Sequence, residues 1–96
     1  MTVIGVVRIS LAIPAETLKE KRSVVKSTVE RLRARFNASV AEVEDLDMPS
    51  RAVIVAVCVS NATQHAQSQI QHIADAVAGL RLDVEVLAIE TEIIHL

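Results

Sequence analysis

The sequence predicts an α+β sandwich in which two helices cover one face of a four-stranded antiparallel sheet. The chain has 96 residues, which is enough for one domain. Its apolar residues alternate with a period of two in four segments and recur with the helical period in two others. These segments follow one another as strand, helix, strand, strand, helix and strand, so both length and element order favour such a sandwich.

The first strand and the first helix occupy the N-terminal part of the chain. Residues 2–13 alternate between two faces, and Pro14 ends the strand because it has no N–H to donate. A helix is expected over residues 16–36, with Thr17 as its N-cap and Glu20 completing a capping box. Its apolar stripe consists of Leu18, Val25, Val29, Leu32 and Phe36.

Two strands joined by a polar turn follow this helix. Asn37 follows this helix and can tolerate the left-handed conformation that often ends a helix. Ser39–Glu44 is the predicted second strand, and the turn after it contains two aspartates and a proline. Arg51–Ser60 is the strongest strand signal, because both of its faces are apolar, as in a central strand.

A second helix and a last strand complete the chain. The helix runs to about residue 80, and its candidate caps are Ser60, Asn61 and Thr63. Residues 83–96 then alternate as the fourth strand. In a chain of this length, the βαββαβ order predicts a single ferredoxin-like domain over residues 1–96. Right-handed crossovers put the first and third strands in the centre, so the expected strand order is 4-1-3-2.

The charges are unevenly distributed, although the formal net charge is only −2. The first predicted helix has seven basic and three acidic residues, and the rest of the chain has three basic and nine acidic residues. At about 100° per residue, four of its cations fall within about 60° of one another, in a basic stripe made up of Lys19, Arg22, Lys26 and Arg33. The cations on the other flank are Lys21, Arg31 and Arg35. The basic stripe is the candidate nucleic-acid-binding site because it can neutralise phosphates, and the alternative is an ordinary solvated helix face.

The sheet face that the helices leave open is predicted to be apolar. Its candidate residues are Ile4, Val6 and, on the third strand, Ile54, Ala56 and Cys58 or their alternates. An exposed row of this kind is typical of an interface, so we expect a homo-oligomer, either a dimer or larger. Arg8 lies on the same face and is expected to pair with Glu90 or Glu92 across strands. A small anionic ligand bound by Arg8 is the alternative.

The sequence has no recognisable set of catalytic residues, so we expect a non-enzymatic protein without a metal or cofactor. Cys58 lies in an apolar strand, where a free cysteine is usually a small buried hydrophobe. His65 and His72 are about 10 Å apart along a helix, too far to share a zinc ion. Phe36 is the only aromatic residue, so base stacking on the sheet is not expected. No membrane span or secretory signal is visible, so the expected compartment is the cytoplasm.

Several segments are distinctive enough to indicate a family. They are LKEKR at 18–22, VVKS at 24–27, RLRARFN at 31–37, SVAEV at 39–43, RAV at 51–53 and VSN at 59–61. Together they resemble the YlxP-like family, small bacterial proteins classed as a domain of unknown function. Members often carry an aromatic residue just before the Arg-Ala pair, where this chain has Ser50. The resemblance implies a ferredoxin-like fold and, because its genes tend to lie among those for translation initiation and ribosome maturation, an association with ribosomes or RNA.

The sequence therefore leads to two functional hypotheses. The first is a non-enzymatic accessory factor that binds ribosomes or RNA through the basic first helix. The second is a homo-oligomeric regulatory or small-ligand-binding module, favoured by the apolar third strand and by Arg8. The fold cannot decide between them, because this architecture serves many functions.

Overall fold

The computed structural model describes residues 1–80 and 83–96 and has the element order βαββαβ. Its elements are β1 (Val3–Ala12), α1 (Leu18–Arg35), β2 (Ser39–Glu44), β3 (Arg51–Ser60), α2 (Thr63–Val77) and β4 (Glu85–His95). The strands form one antiparallel sheet in the order β2-β3-β1-β4, which is the predicted order 4-1-3-2 read from the other edge. The predicted ferredoxin-like α+β fold is confirmed.

The hydrophobic core lies between one face of the sheet and both helices. Alternate residues of β1 and β3 point into it, since their antiparallel register places Val7 opposite Ala56 and Ile9 opposite Ile54. The helices add Val25, Val29 and Leu32 from α1 and Ile70, Ile73 and Val77 from α2. All of these side chains are at most 9% exposed. Because the two helices share one core, they pack on the same face of the sheet.

Gly5 allows α2 to approach β1 closely. A Cβ atom at this position would lie 2.6 Å from Cγ2 of Ile70 and 3.0 Å from Sγ of Cys58. Both neighbours are buried, so neither can move aside without disturbing the close-packed core. The absence of a side chain at Gly5 is therefore a packing requirement of this sheet and helix.

Gly5→Ala is expected to lower the free energy of unfolding by about 1–3 kcal/mol, the usual cost of overpacking a core. Urea denaturation would register the loss as a lower midpoint with an unchanged slope. Ser10→Ala, on the other face of the same strand, is the matched control and should change stability by less than about 0.5 kcal/mol. Equal midpoints for Gly5→Ala and the wild type would contradict the close approach of α2.

The two ends of α1 agree with the predictions to different degrees. Thr17 is the N-cap, and its Oγ1 accepts the N–H of Glu20 at 3.2 Å. At the other end, Phe36 is the C-cap and has an extended backbone with φ of −126°. Asn37 does not use the left-handed conformation that it can tolerate, because its φ is not positive. The helix ends by turning directly into the segment that leads to β2.

The start and the end of α2 differ from the prediction. Its N-cap is Ala62, whose side chain makes no capping hydrogen bond. Oγ of Ser60 accepts the N–H of Ala62 at 3.1 Å, while Thr63 is already the first helical residue. The helix ends at Val77, three residues earlier than expected. The side-chain hydrogen bond nearest the start of α2 is therefore made to the N–H of the N-cap residue itself, by Ser60 at the end of β3.

The strand register decides which residues lie on the open sheet face. The residue pairs on this face are Ile4–Val59, Val6–Val57, Arg8–Val55 and Ser10–Val53. By contrast, Ile54, Ala56 and Cys58 are at most 2% exposed and belong to the core. Of the two alternatives for β3, the structure therefore places the valines on the open face.

Candidate nucleic-acid interface

The basic stripe lies on the exposed side of α1 that faces the edge strand β2. All four of its residues, Lys19, Arg22, Lys26 and Arg33, are exposed. Arg33 is anchored to the fold, because its Nη2 donates to the carbonyl oxygen of Val40 at 2.6 Å. Within residues 1–80 and 83–96, the other three side chains form no hydrogen bond or ion pair. Their charges are therefore available to an anionic partner.

The remaining cations of α1 are used within the fold. Nη1 of Arg31 donates to the carbonyl oxygen of Leu80 at 2.6 Å. The guanidinium carbon of Arg35 lies 5.5 Å from the centre of the Phe36 ring. Lys21 is fully buried, so its predicted place on a solvated flank of the helix is wrong. Lys19, Arg22 and Lys26 are thus the cations of α1 that the fold leaves unused.

Lys21 is buried because it joins α1 to the turn between β2 and β3. Its Nζ lies 2.8 Å from Oε2 of Glu42, which is on the core side of β2 opposite Ile54. Nζ also donates to the carbonyl oxygen of Asp45, which accepts the N–H of Met48 at 3.0 Å as well. Asp45 has a φ of 58°, a left-handed backbone conformation that residues other than glycine rarely adopt. The buried ammonium group therefore helps to hold this turn in place.

A shallow groove of about 370 Å³ runs along the outer side of α1 beside the basic stripe. Its lining residues are Ser23, Lys26, Ser27, Glu30, Arg31 and Ala34. Ser23 lies one helical turn before Lys26, and Ser27 follows Lys26 directly in sequence, so both hydroxyls border the groove that this free cation lines. Glu30 places a single carboxylate in the same groove. The two serines are not among the residues predicted from the sequence, although their spacing of four residues is a signal for a shared helix face.

The surroundings of the basic stripe contain no aromatic ring. Phe36 is the single aromatic residue of the sequence, and it is half-buried beneath Arg35. The cleft beside it, about 450 Å³, lies between the helices and is also lined by His72 and Asp75. A nucleic-acid base that approached the basic stripe would therefore find no ring on which to stack.

Arg8 is at the centre of a charged cluster on the open sheet face. Its Nη2 lies 2.6 Å from Oε2 of Glu44, and its Nε lies 3.7 Å from Oε1 of Glu90. The pairing with Glu90 agrees with the prediction, whereas Glu44 reaches this face through a register shift in β2. The hydrogen bond to Glu44 raises the pKa of the Arg8 guanidinium. Because two carboxylates compensate its charge, Arg8 offers little attraction to a small anionic ligand.

The end of the open sheet face beyond Arg8 is mainly apolar, although the register places Glu92 opposite Val6. This apolar end consists of Ile4, Val6, Val57, Val59 and Ile94. In the register, Ile4 lies between Val59 and Ile94, which are 68% and 39% exposed. Nothing in the described part of the chain covers these two side chains. The apolar end is therefore the exposed hydrophobic patch that the sequence predicts for this face.

Cys58 and His65 both form hydrogen bonds within the fold. The Cys58 thiol is 2% exposed and donates to the carbonyl oxygen of Gly5 at 3.8 Å. His65 Nδ1 lies 2.9 Å from Oγ of Ser60.

In the described ranges, no group of three or more His, Cys, Asp or Glu is arranged to hold a metal ion. None of the described helices has the length and hydropathy needed to cross a membrane.

Stability is expected to fall as the pH rises above about 8.5, the ordinary pKa of a thiol. Burial raises the pKa of the Cys58 thiol in the folded protein. Above that pH the unfolded chain therefore releases a proton that the folded chain keeps, which favours unfolding. Urea midpoints between about pH 7 and pH 10 would measure the decline. Cys58→Ala should abolish this part of the slope, and the same slope in both proteins would exclude Cys58 as its cause.

Three comparisons place the chain among known proteins. A family model described as "Protein of unknown function (DUF503)" matches residues 4–91. A solved structure titled "De novo designed protein Foldit4" superposes with a TM-score of 0.57 at 14% sequence identity, covering 99% of this chain and 98% of that chain. At that identity the likeness shows the fold alone. No curated protein matches the sequence. Since the family match extends over nearly all of the sequence, the chain belongs to the DUF503 family of proteins of unknown function.

Proposed function

We propose that this protein is a non-enzymatic, cytoplasmic accessory factor that binds RNA or ribosomes through α1. The observation that supports this best is the state of Lys19, Arg22 and Lys26. These cations are exposed on one side of a rigid helix, and no described residue pairs with them. Free cations in a row gain most from a polyanion, because each phosphate contact releases a counterion.

The charge of the rest of the chain favours the same surface. Outside the first predicted helix there are nine acidic and three basic residues, so other surfaces repel a polyanion. Within α1, Glu20 is engaged at the helix start, where its Oε1 accepts a hydrogen bond from Thr17 at 3.2 Å. Glu30 is the acidic residue that remains beside the basic stripe. The attraction for a polyanion is therefore concentrated on one helix face.

The resemblance to the YlxP-like family gives this proposal its biological direction. Genes of that family tend to lie among genes for translation initiation and ribosome maturation. A small domain without a recognisable set of catalytic residues, in a family whose genes have such neighbours, is expected to act by binding. We therefore infer ribosomal RNA, in a subunit or a precursor, as the partner of the basic stripe.

Sedimentation with ribosomal subunits tests the proposal. Tagged protein should co-sediment with subunits at low salt and dissociate progressively as salt rises, because its contacts are electrostatic. With three phosphate contacts, affinity should fall roughly 40-fold between 50 and 200 mM salt. Protein that stays in the supernatant at low salt, with subunits and with naked ribosomal RNA, would refute the proposal.

Homo-oligomerisation is the second candidate function, and the apolar end of the open sheet face favours it. The patch lies at one end of the face, and the charged cluster around Arg8 lies nearer the middle. A twofold axis through the patch would join apolar surface to apolar surface and would carry the two charged clusters to opposite sides. A second copy of this chain therefore fits the apolar residues of the patch, with Glu92, which the register places opposite Val6, next to the contact.

Val59→Glu tests this assembly, because Val59 is the most exposed residue of the apolar end. The wild type should scatter light as a dimer or larger at roughly 100 µM, where mass action favours assembly, and Val59→Glu should scatter as a monomer. Ile4→Glu and Val6→Glu should act in the same direction. Ala41→Glu, away from the patch on the same sheet face, is the control. A monomeric wild type at that concentration would rule the assembly out.

A further inference from the structure

We propose that α1 recognises double-stranded RNA by its backbone, with Lys19, Arg22 and Lys26 on phosphates and Ser23 and Ser27 on ribose 2′-hydroxyls. This inference rests on the proposed RNA binding and adds the form of RNA that is bound. It follows from three features of the surface, namely the missing aromatic ring, the straight row of cations and the adjacent hydroxyls.

The missing aromatic ring argues against single-stranded RNA. Proteins that bind single strands stack the unpaired bases on aromatic side chains, which contribute about 1–3 kcal/mol per base. This sequence has one aromatic residue, Phe36, and Arg35 covers its ring. A flexible strand would lose conformational freedom on α1 without gaining stacking energy. A duplex keeps its bases stacked on one another, so it needs no such platform.

The row of cations matches a regular phosphate track. The three free cations, from Lys19 to Lys26, span about 10 Å along the axis of α1 at 1.5 Å per residue. The helix holds these positions in a fixed order, and the anchored Arg33 keeps its end of the stripe against β2. A rigid row gains most from a ligand whose phosphates are themselves held at regular intervals, as they are in a duplex.

The hydroxyls beside Lys26 favour RNA over DNA. Ser23 and Ser27 line the same groove as Lys26, so a phosphate on Lys26 would bring the neighbouring ribose to their Oγ atoms. A serine hydroxyl donates and accepts hydrogen bonds, and the 2′-hydroxyl does the same. The wide, shallow minor groove of A-form RNA displays these hydroxyls, whereas DNA lacks them. The groove on α1 thus offers partners for the one group that distinguishes the two duplexes.

The test compares the binding of four ligands to the full chain at several salt concentrations. They are an RNA duplex of about 20 base pairs, a duplex of scrambled sequence, a DNA duplex of the first sequence, and an unstructured oligo(U) strand of equal length. Both RNA duplexes should bind within about twofold of each other, at least about tenfold tighter than oligo(U) and severalfold tighter than DNA. The slope of log affinity against log salt should be about 2.7 for the RNA duplexes.

Two matched variants separate the roles of the residues. Ser23→Ala combined with Ser27→Ala should abolish the preference for RNA over DNA and leave the salt slope unchanged. Lys26→Gln should lower the salt slope by about 0.9 on every duplex and leave the preference in place. Oligo(U) that binds as tightly as duplex RNA would overturn the duplex inference while leaving RNA binding intact. A DNA duplex that binds as tightly as RNA would overturn the role of the serines, and no binding to any ligand would overturn the proposed function itself.

Discussion

Lys21→Ala is expected to lower the free energy of unfolding by about 3–5 kcal/mol, the range for breaking a buried ion pair from one side. The lysine is fully buried, and its partner Glu42 has only 16% of its side chain exposed. Removing the ammonium group leaves this carboxylate without its counter-charge and deprives the Asp45 carbonyl of a donor. Since a domain of this size is stable by about 5–15 kcal/mol in total, the loss is a large part of it.

Urea denaturation of a small set of variants isolates the charge. Lys21→Met keeps the aliphatic stem and should still cost most of the stability, because Glu42 stays charged and unpaired. Adding Glu42→Leu to Lys21→Met should restore stability to near the wild-type value, since an apolar pair often replaces a buried ion pair without loss. Lys19→Ala is the control, at an exposed position on the same helix, and should change stability by less than about 0.5 kcal/mol. A Lys21→Ala variant as stable as Lys19→Ala would mean that the pair is solvated.

Lys19→Glu combined with Lys26→Glu is expected to weaken the binding of ribosomal RNA roughly 60-fold at about 0.1 M salt. Each lost phosphate contact removes about 0.9 log units of affinity at that salt relative to 1 M. The two positions lie about 10 Å apart on the basic stripe, so both contacts belong to one surface. Fluorescence anisotropy with labelled RNA would measure the affinity, and the urea midpoint would verify that folding is unchanged.

The control for this variant carries the same change of charge elsewhere. Arg35→Glu combined with Arg51→Glu alters two cations that lie off the basic stripe, Arg51 on the open sheet face and Arg35 over Phe36. Its affinity should fall much less than that of the stripe variant. Equal losses would point to diffuse attraction by the whole chain. No loss from either variant would leave self-association through the apolar end as the better function.

Periodicity in the sequence was enough to predict the element order, the topology and several boundaries. Strands and helices differ in the spacing of their apolar residues, and this signal is local, so Ser39–Glu44 and Arg51–Ser60 were predicted at their observed bounds. The N-cap at Thr17 was also predictable, because capping depends on residues three positions apart. The exposed positions of the basic stripe follow from the same local periodicity.

Tertiary structure decided the features that depend on partners distant in sequence. Both faces of β3 are apolar, so only its register with β1 could assign the valines to the open face. Lys21 lies four residues before Val25, on the buried side of α1. From the sequence, however, a lysine is predicted to lie in solvent unless a buried carboxylate is known to pair with it. That carboxylate, on Glu42, comes from β2, and a register shift in the same strand sends Glu44 to Arg8. Charge pairing across elements depends on how strands align in space, and the local spacing of residues does not encode that alignment.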